Sequence, residues 1–74
     1  MHERSYNPHM ISVLMVADND ADAIRMVIRQ FQEQTYPYWE LIIVDNSSDP
    51  QIARMLNNLA NQEPRLDVLC QSRQ

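Results

Sequence analysis

The chain is 74 residues long, enough for one domain near the lower limit at which a single hydrophobic core sustains itself. Its 45% hydrophobic and 22% charged residues are the balance of a globular protein rather than a disordered one. Six arginines, no lysine and ten acids give a net charge of −4 with no basic cluster, which excludes the positive surface that nucleic-acid binding requires.

Residues 1–9 (MHERSYNPH) are polar, contain Pro8 and show no periodicity. They read as a flexible leader and lack the apolar core of a signal peptide. His2 and His9 have no paired ligand spacing and are expected to be solvated. Met10 to Val16 (MISVLMV) is a nearly continuous apolar run rich in β-branched residues, the pattern of a strand covered on both faces. The acidic stretch ADNDAD follows.

From Ala21 the period changes, with Ile24, Val27, Ile28 and Phe31 at i, i+3, i+4 and i+7 and Arg25, Arg29, Gln30 and Gln32 between them. This spacing predicts an amphipathic helix with one buried stripe. Asn19 or Asp20 can cap its start, and Asp20 and Asp22 suit the positive end of its dipole. The helix must stop before Tyr36-Pro37, because proline disfavours a helical conformation at the residue before it.

Trp39 to Asp45 (WELIIVD) predicts a second strand with an unbroken apolar centre, followed by a turn at Asn46-Ser47-Ser48. Asp49-Pro50 marks a helix start, with Asp49 as N-cap and Pro50 at the first helical position, where its missing N–H costs nothing. Ile52, Met55, Leu56, Leu59 and Ala60 form one face of that second helix, and Pro64 closes the region. Arg65 to Cys70 (RLDVLC) alternates as a third strand with Leu66, Val68 and Cys70 on one side. Cys70 is the only cysteine, so no intramolecular disulfide is open to it; it reads as a small buried hydrophobe rather than a nucleophile. Unbroken apolar runs such as Leu41 to Val44 are far short of the ~20 residues that span a bilayer, and the expected location is cytoplasmic.

The predicted fold is α/β, a three-stranded parallel sheet in β-α-β-α-β order. Right-handed crossovers advancing in one direction place both helices on one face. The other face is left bare, exposing either Ile11, Val13 and Met15 or their alternates Ser12, Leu14 and Val16. One edge is expected to be unpaired as well, which invites strand pairing. A dimer or a fragment of a larger fold is the expectation.

Four segments carry a resemblance. ISVLMVADN (Ile11 to Asn19), EQTYP (Glu33 to Pro37) and WELIIVDNSSD (Trp39 to Asp49) are similar to the VSVIIPTYN, AQTYP and ELIVVDNSSTD segments of family 2 glycosyltransferases, and PRLDVL (Pro64 to Leu69) resembles that family's PRIRVI. The resemblance covers nearly everything after residue 10. It implies half of a Rossmann-like A-type fold: residues 10–74 would be a truncated, N-terminal nucleotide-binding half-domain of an enzyme that transfers a sugar, with inversion, from a nucleotide-diphosphate donor. The nucleotide pocket then lies at the ends of the first two strands, with Val16, Ala17 and Asp18, and Asp45 and Asn46, as donor-contacting positions. Asn46 stands where the family has the residue that hydrogen-bonds the base.

Val16 and Asp18 replace the Pro or Thr and the Tyr of PTYN, removing a stacking aromatic and adding a carboxylate where an anionic nucleotide would approach. The family's metal-binding DxD and its catalytic base belong to later segments. The 74 residues alone are therefore expected to bind donor weakly or not at all and not to catalyse transfer, with Mg²⁺ or Mn²⁺ belonging to the full-length family. The alternative is a non-catalytic glycosyltransferase-like module for self-association through the bare face or edge.

Asp18-Asn19-Asp20-Ala21-Asp22 contains D-x-D twice but joins a strand to a helix, and reads as a capped helix start rather than a metal site. Convergence of Asp18, Asp20 and Asp45 on Mg²⁺ would suit a phospho-acceptor receiver domain, but that rival needs an aspartate ending its third strand and a lysine, and neither is present. Tyr36, Tyr38 and Trp39, beside a proline turn, read as packing residues rather than a base-stacking platform. Arg54 and Arg65 are expected on the solvated surface.

Overall fold

The computed structural model of the protein describes residues 9–70. The expected leader therefore lies outside the described residues except for its last member, His9. Five elements follow: β1 (Ile11–Ala17), α1 (Ala21–Glu33), β2 (Trp39–Asp45), α2 (Pro50–Gln62) and β3 (Leu66–Cys70). β1 begins and ends one residue later than its apolar run suggests. β3 starts at Leu66 because Arg65 contributes only its carbonyl, which accepts from the Leu41 N–H at 2.9 Å.

Both helix starts are set by aspartates. Asp20 caps α1, its Oδ1 accepting from the Ala23 N–H at 3.1 Å. Asp49 caps α2, its Oδ1 accepting from the Gln51 N–H at 2.9 Å, with Pro50 next in line. Each satisfies an N–H that the helix cannot pair internally. Between Asn19 and Asp20, both suitable caps, Asp20 takes the role.

The sheet is parallel with order β1-β2-β3. Ile24 and Ile28 of α1 and Ile52 and Leu56 of α2 share one core cluster with Ala17, Trp39, Leu41, Ile43 and Leu66 of the strands, so both helices cover the same face. The alternation fixes which set of β1 faces outward. Val13, Met15 and Ala17 look toward the helices, while Leu14 and Val16 are 67% and 62% exposed. Register places Leu14 beside Ile42 and Asp67, and Val16 beside Val44 and Leu69, so the open face carries a contiguous apolar patch. Leu14→Lys is accordingly expected to change the urea midpoint little, by less than about 0.5 kcal/mol, while lowering the fluorescence of a bound apolar dye.

Two expectations change. Order β1-β2-β3 makes β1 and β3 both outermost, so among the described residues the sheet has two unpaired edges rather than one. Cys70 is exposed rather than buried, because it ends the edge strand β3, opposite Asp45 and past the buried Leu66.

A polar cluster closes the N-terminal end of the sheet. Trp39 is 1% exposed, its ring 5.2 Å from that of Phe31 and tilted at 55°, with the Arg65 guanidinium carbon 4.0 Å above it. Arg65 donates from Nε to Glu63 Oε2 at 2.7 Å and from Nη2 to Oε1 at 3.2 Å, and from Nη1 to the Pro37 carbonyl at 3.2 Å. Gln32 of α1 donates to the same Glu63 Oε1 at 3.2 Å. The expectation of a solvated Arg65 is thus replaced by a clasp joining the end of α1, the start of β2 and the α2–β3 turn. Trp39 Nε1 is buried without a partner among the described residues, a cost of about 1–3 kcal/mol set against the burial of the ring.

Candidate functional site

In open α/β sheets ligands sit beyond the C-terminal strand ends, which here means the 18–20 loop after β1 and the 46–49 loop after β2. The β1–β2 ladder ends with Ala17 paired to Asp45, and one further bond runs from the Asn46 N–H to the Ala17 carbonyl at 2.8 Å. Asp45 is 7% exposed, and its Oδ1 accepts from both the Ser47 N–H at 2.9 Å and the Ser47 hydroxyl at 2.6 Å. Such a turn, with a side-chain acceptor closing on the N–H two residues ahead, holds the carboxylate in one orientation. Asn19 Oδ1 accepts from the Ser48 N–H at 3.0 Å and ties the two loops together.

Asp18 and Asn46 therefore stand side by side at the start of adjacent loops, both exposed, and neither side chain has a partner among the described residues. Ala17 is buried at the strand end, 1% exposed. Val16 sits one residue earlier with its side chain on the open sheet face beside Val44, so it meets this end only through its backbone. Asp18, Ala17, Asp45 and Asn46 are brought together, and Val16 flanks them.

The aromatics and arginines lie elsewhere. Trp39 and Asp45 are opposite ends of β2, about 20 Å apart at the rise of an extended strand. Tyr36 and Tyr38, in a T-shaped pair with centroids 5.7 Å apart, are at the Trp39 end, where the Tyr36 hydroxyl donates to the His9 carbonyl. No stacking platform is available from them to a base at Asp45. Arg54 is exposed on α2.

The residues do not fit a divalent metal. Asp20 is committed to the α1 cap and one oxygen of Asp45 to Ser47, and no group of three or more His, Cys, Asp or Glu side chains among the described residues could hold an ion. The strongly perturbed carboxylate is at the other end of the sheet. The Arg65 hydrogen bonds, reinforced by Gln32, hold Glu63 down from 4.5 to about 2 against the opposing effect of burial, and the same pairing raises Arg65. That cluster is structural, since Gln32, Glu63 and Arg65 are bonded to one another and to the Pro37 carbonyl within the fold.

A family model described as glycosyl transferase family 2 matches residues 12–74, which takes in both helices and all of the sheet except Ile11. The chain belongs to glycosyl transferase family 2. A protein of Sinorhizobium fredii (strain NBRC 101917 / NGR234), named uncharacterized protein y4gI, is 37% identical over 68 residues, which is 89% of this chain and 8% of that protein. The chain thus spans a small part of the relative it matches. No helix among the described residues is long and apolar enough to cross a membrane.

Within this family 2 chain, two contributors escape a reading of the sequence. Ser47 looks like one of two equivalent turn serines, yet it alone bonds Asp45. Asn19 looks like a helix cap, yet its side chain serves the neighbouring loop. The strand order adds a further point. Ligand crevices open where the order of strands reverses, and β1-β2-β3 advances without reversal.

Proposed function

We propose that this chain carries the base-recognition wall of a nucleotide-sugar donor site in a family 2 glycosyltransferase. Residues 10–74 act as its nucleotide-binding half-domain, with Asp45, Asn46, Asp18, Ala17 and the Val16 backbone as donor-contacting positions. The observation that carries the reading is Asp45: buried at the end of the central strand, one oxygen anchored by Ser47, the other making no bond within the described residues. A carboxylate held this way is an acceptor only. It favours a base that presents a ring N–H, as uracil, thymine and guanine do, over cytosine and adenine, whose ring nitrogens accept. Asn46, exposed beside it, offers both a donor and an acceptor to the base edge.

The described residues bring no metal set to this end, so the transfer step is not assigned to them; Mg²⁺ or Mn²⁺ and the acceptor-activating base are parts of the proposed whole enzyme. A cytoplasmic location is part of the same proposal, resting on the solitary exposed Cys70.

Titrating isotopically labelled protein with uridine and thymidine diphosphates and Mn²⁺ tests the reading. Shifts are expected at Asp18, Asp45 and Asn46, with cytidine and adenosine diphosphates weaker, and Asp45→Asn is expected to weaken uridine diphosphate at least about tenfold by removing a charged acceptor. No shift at these residues at millimolar ligand overturns it.

A second reading, a non-catalytic interaction or dimerisation module, is favoured by the exposure of Leu14, Val16 and Leu69 on the open face. About five residues on each of three strands present roughly 240 Å², so face-to-face pairing of two copies would bury roughly 500 Å² against the 1,200–2,000 Å² of a stable interface. Pairing at the β1 edge, free of charge, proline and glycine from Ile11 to Ala17, would have to contribute too. Sedimentation decides it: a dimer that Leu14→Lys dissociates supports this reading, and a monomer at high concentration removes it.

A further inference from the structure

Beyond the end of the β1–β2 ladder, the chain turns into two helices, and past the bond from the Asn46 N–H to the Ala17 carbonyl no backbone hydrogen bond among the described residues keeps the two intervening loops in register. Residues 45–48 are nevertheless held at three points. The Asn46 N–H is bonded to the Ala17 carbonyl at 2.8 Å, Asp45 Oδ1 closes on Ser47 at 2.9 and 2.6 Å, and the Ser48 N–H is bonded to Asn19 Oδ1 at 3.0 Å. The first is a continuation of the sheet and the second is internal to the turn. Only the third joins the far side of the turn to the loop that follows β1, and it does so through a side chain.

We propose that Asn19 is a positioning residue: its carbonyl oxygen pins Ser48, and so fixes the turn whose apex presents Asn46 and whose base orients Asp45. The cap of α1 is provided by Asp20, which leaves Asn19 with no role in starting the helix. Asn19 is exposed and outside the core, so removing its side chain leaves the packing intact. The physical requirement is an acceptor at the right reach and not an amide as such, because the bond uses Oδ1 alone. Aspartate meets that requirement and alanine does not. The consequence for ligand binding rests on the donor-site reading above, whereas the effect on the turn does not.

The test compares Asn19→Ala with Asn19→Asp in the full 74-residue chain, reading backbone amide exchange and binding of uridine diphosphate with Mn²⁺. In Asn19→Ala, the Ser48 amide is expected to exchange about tenfold faster, the Asp45 and Asn46 resonances to shift, and the diphosphate to bind about tenfold more weakly, while the Ile43 amide keeps its wild-type protection. Asn19→Asp is expected to restore Ser48 protection, while its added carboxylate beside Asp18 keeps binding of the anionic diphosphate below that of wild type. A Ser48 amide that exchanges at the wild-type rate in Asn19→Ala overturns the proposal, and so does an Asn19→Asp protein whose Ser48 amide exchanges as fast as in Asn19→Ala. Wild-type protein that shows no response to the diphosphate refutes the donor site, and Ser48 exchange then judges the positioning role of Asn19 by itself.

Discussion

Ile43→Ala is expected to cost about 2–4 kcal/mol and to leave a large share of the protein unfolded at 37 °C. Ile43 is 0% exposed at the centre of β2, the central strand, where both helices press on the sheet. Truncating it removes apolar burial and opens a cavity that a strand held on both sides cannot collapse to fill. At roughly 0.05–0.15 kcal/mol per residue, a 74-residue chain has a total stability of about 4–11 kcal/mol, so one such cavity consumes a large fraction of it. The neighbouring Ile42 supplies the control. It has the same side chain on the same strand, but it looks onto the open face and is only partly buried. Ile42→Ala is expected to cost less than about 1 kcal/mol. Urea midpoints of the two variants measure the difference; equal losses would mean that the open face is covered in solution.

That contrast also marks how far the sequence could be read. The strands and helices were legible because their signals are local: β-branched runs for β1 and β2, a 3.6-residue stripe for α1, and Asp49-Pro50 for the start of α2. The one-sided placement of the helices followed from crossover handedness, and the bare face from that. Which set of β1 residues it exposes was not legible, because MISVLMV is apolar in both phases and only the packing of α1 and α2 selects Val13 and Met15 over Leu14 and Val16. The candidate site was legible as a place, through the likeness of WELIIVDNSSD to its family. Its internal division of labour was not. Asn19 and Asp20 are chemically equivalent caps on paper, and Ser47 and Ser48 equivalent turn residues; which one bonds which partner depends on how the β1 and β2 ends are brought together. The clasp at the other end was invisible for a similar reason. Glu63 and Arg65 resemble ordinary surface charges around a proline, and their partners Gln32, Pro37 and Trp39 lie 26 to 31 residues away in the chain.

Glu63 is therefore the residue through which acid should act on this fold. Its carboxyl falls from 4.5 in the unfolded chain to about 2 in the folded one, chiefly because the Arg65 guanidinium donates to both of its oxygens. A folded value below the unfolded one means that the unfolded chain binds more protons between the two. The contribution of Glu63 is then fully present above 4.5 and is lost as the pH falls toward 2. Converting the whole interval would give roughly 3 kcal/mol, but Arg65 is 37% exposed and the pair is screened by water, so about 1–2 kcal/mol is the expected effect. Glu63→Gln keeps the shape and one acceptor but removes the charge. At neutral pH it should be less stable than wild type by that amount, in urea midpoints at constant slope. As the pH is lowered through the window the two proteins should converge, because wild type then carries a neutral side chain there as well. Because Arg65 also stacks on Trp39, the tryptophan emission of native Glu63→Gln should differ from that of wild type at neutral pH. A gap in stability that persisted unchanged to the bottom of the window would show that Glu63 acts by packing rather than by charge.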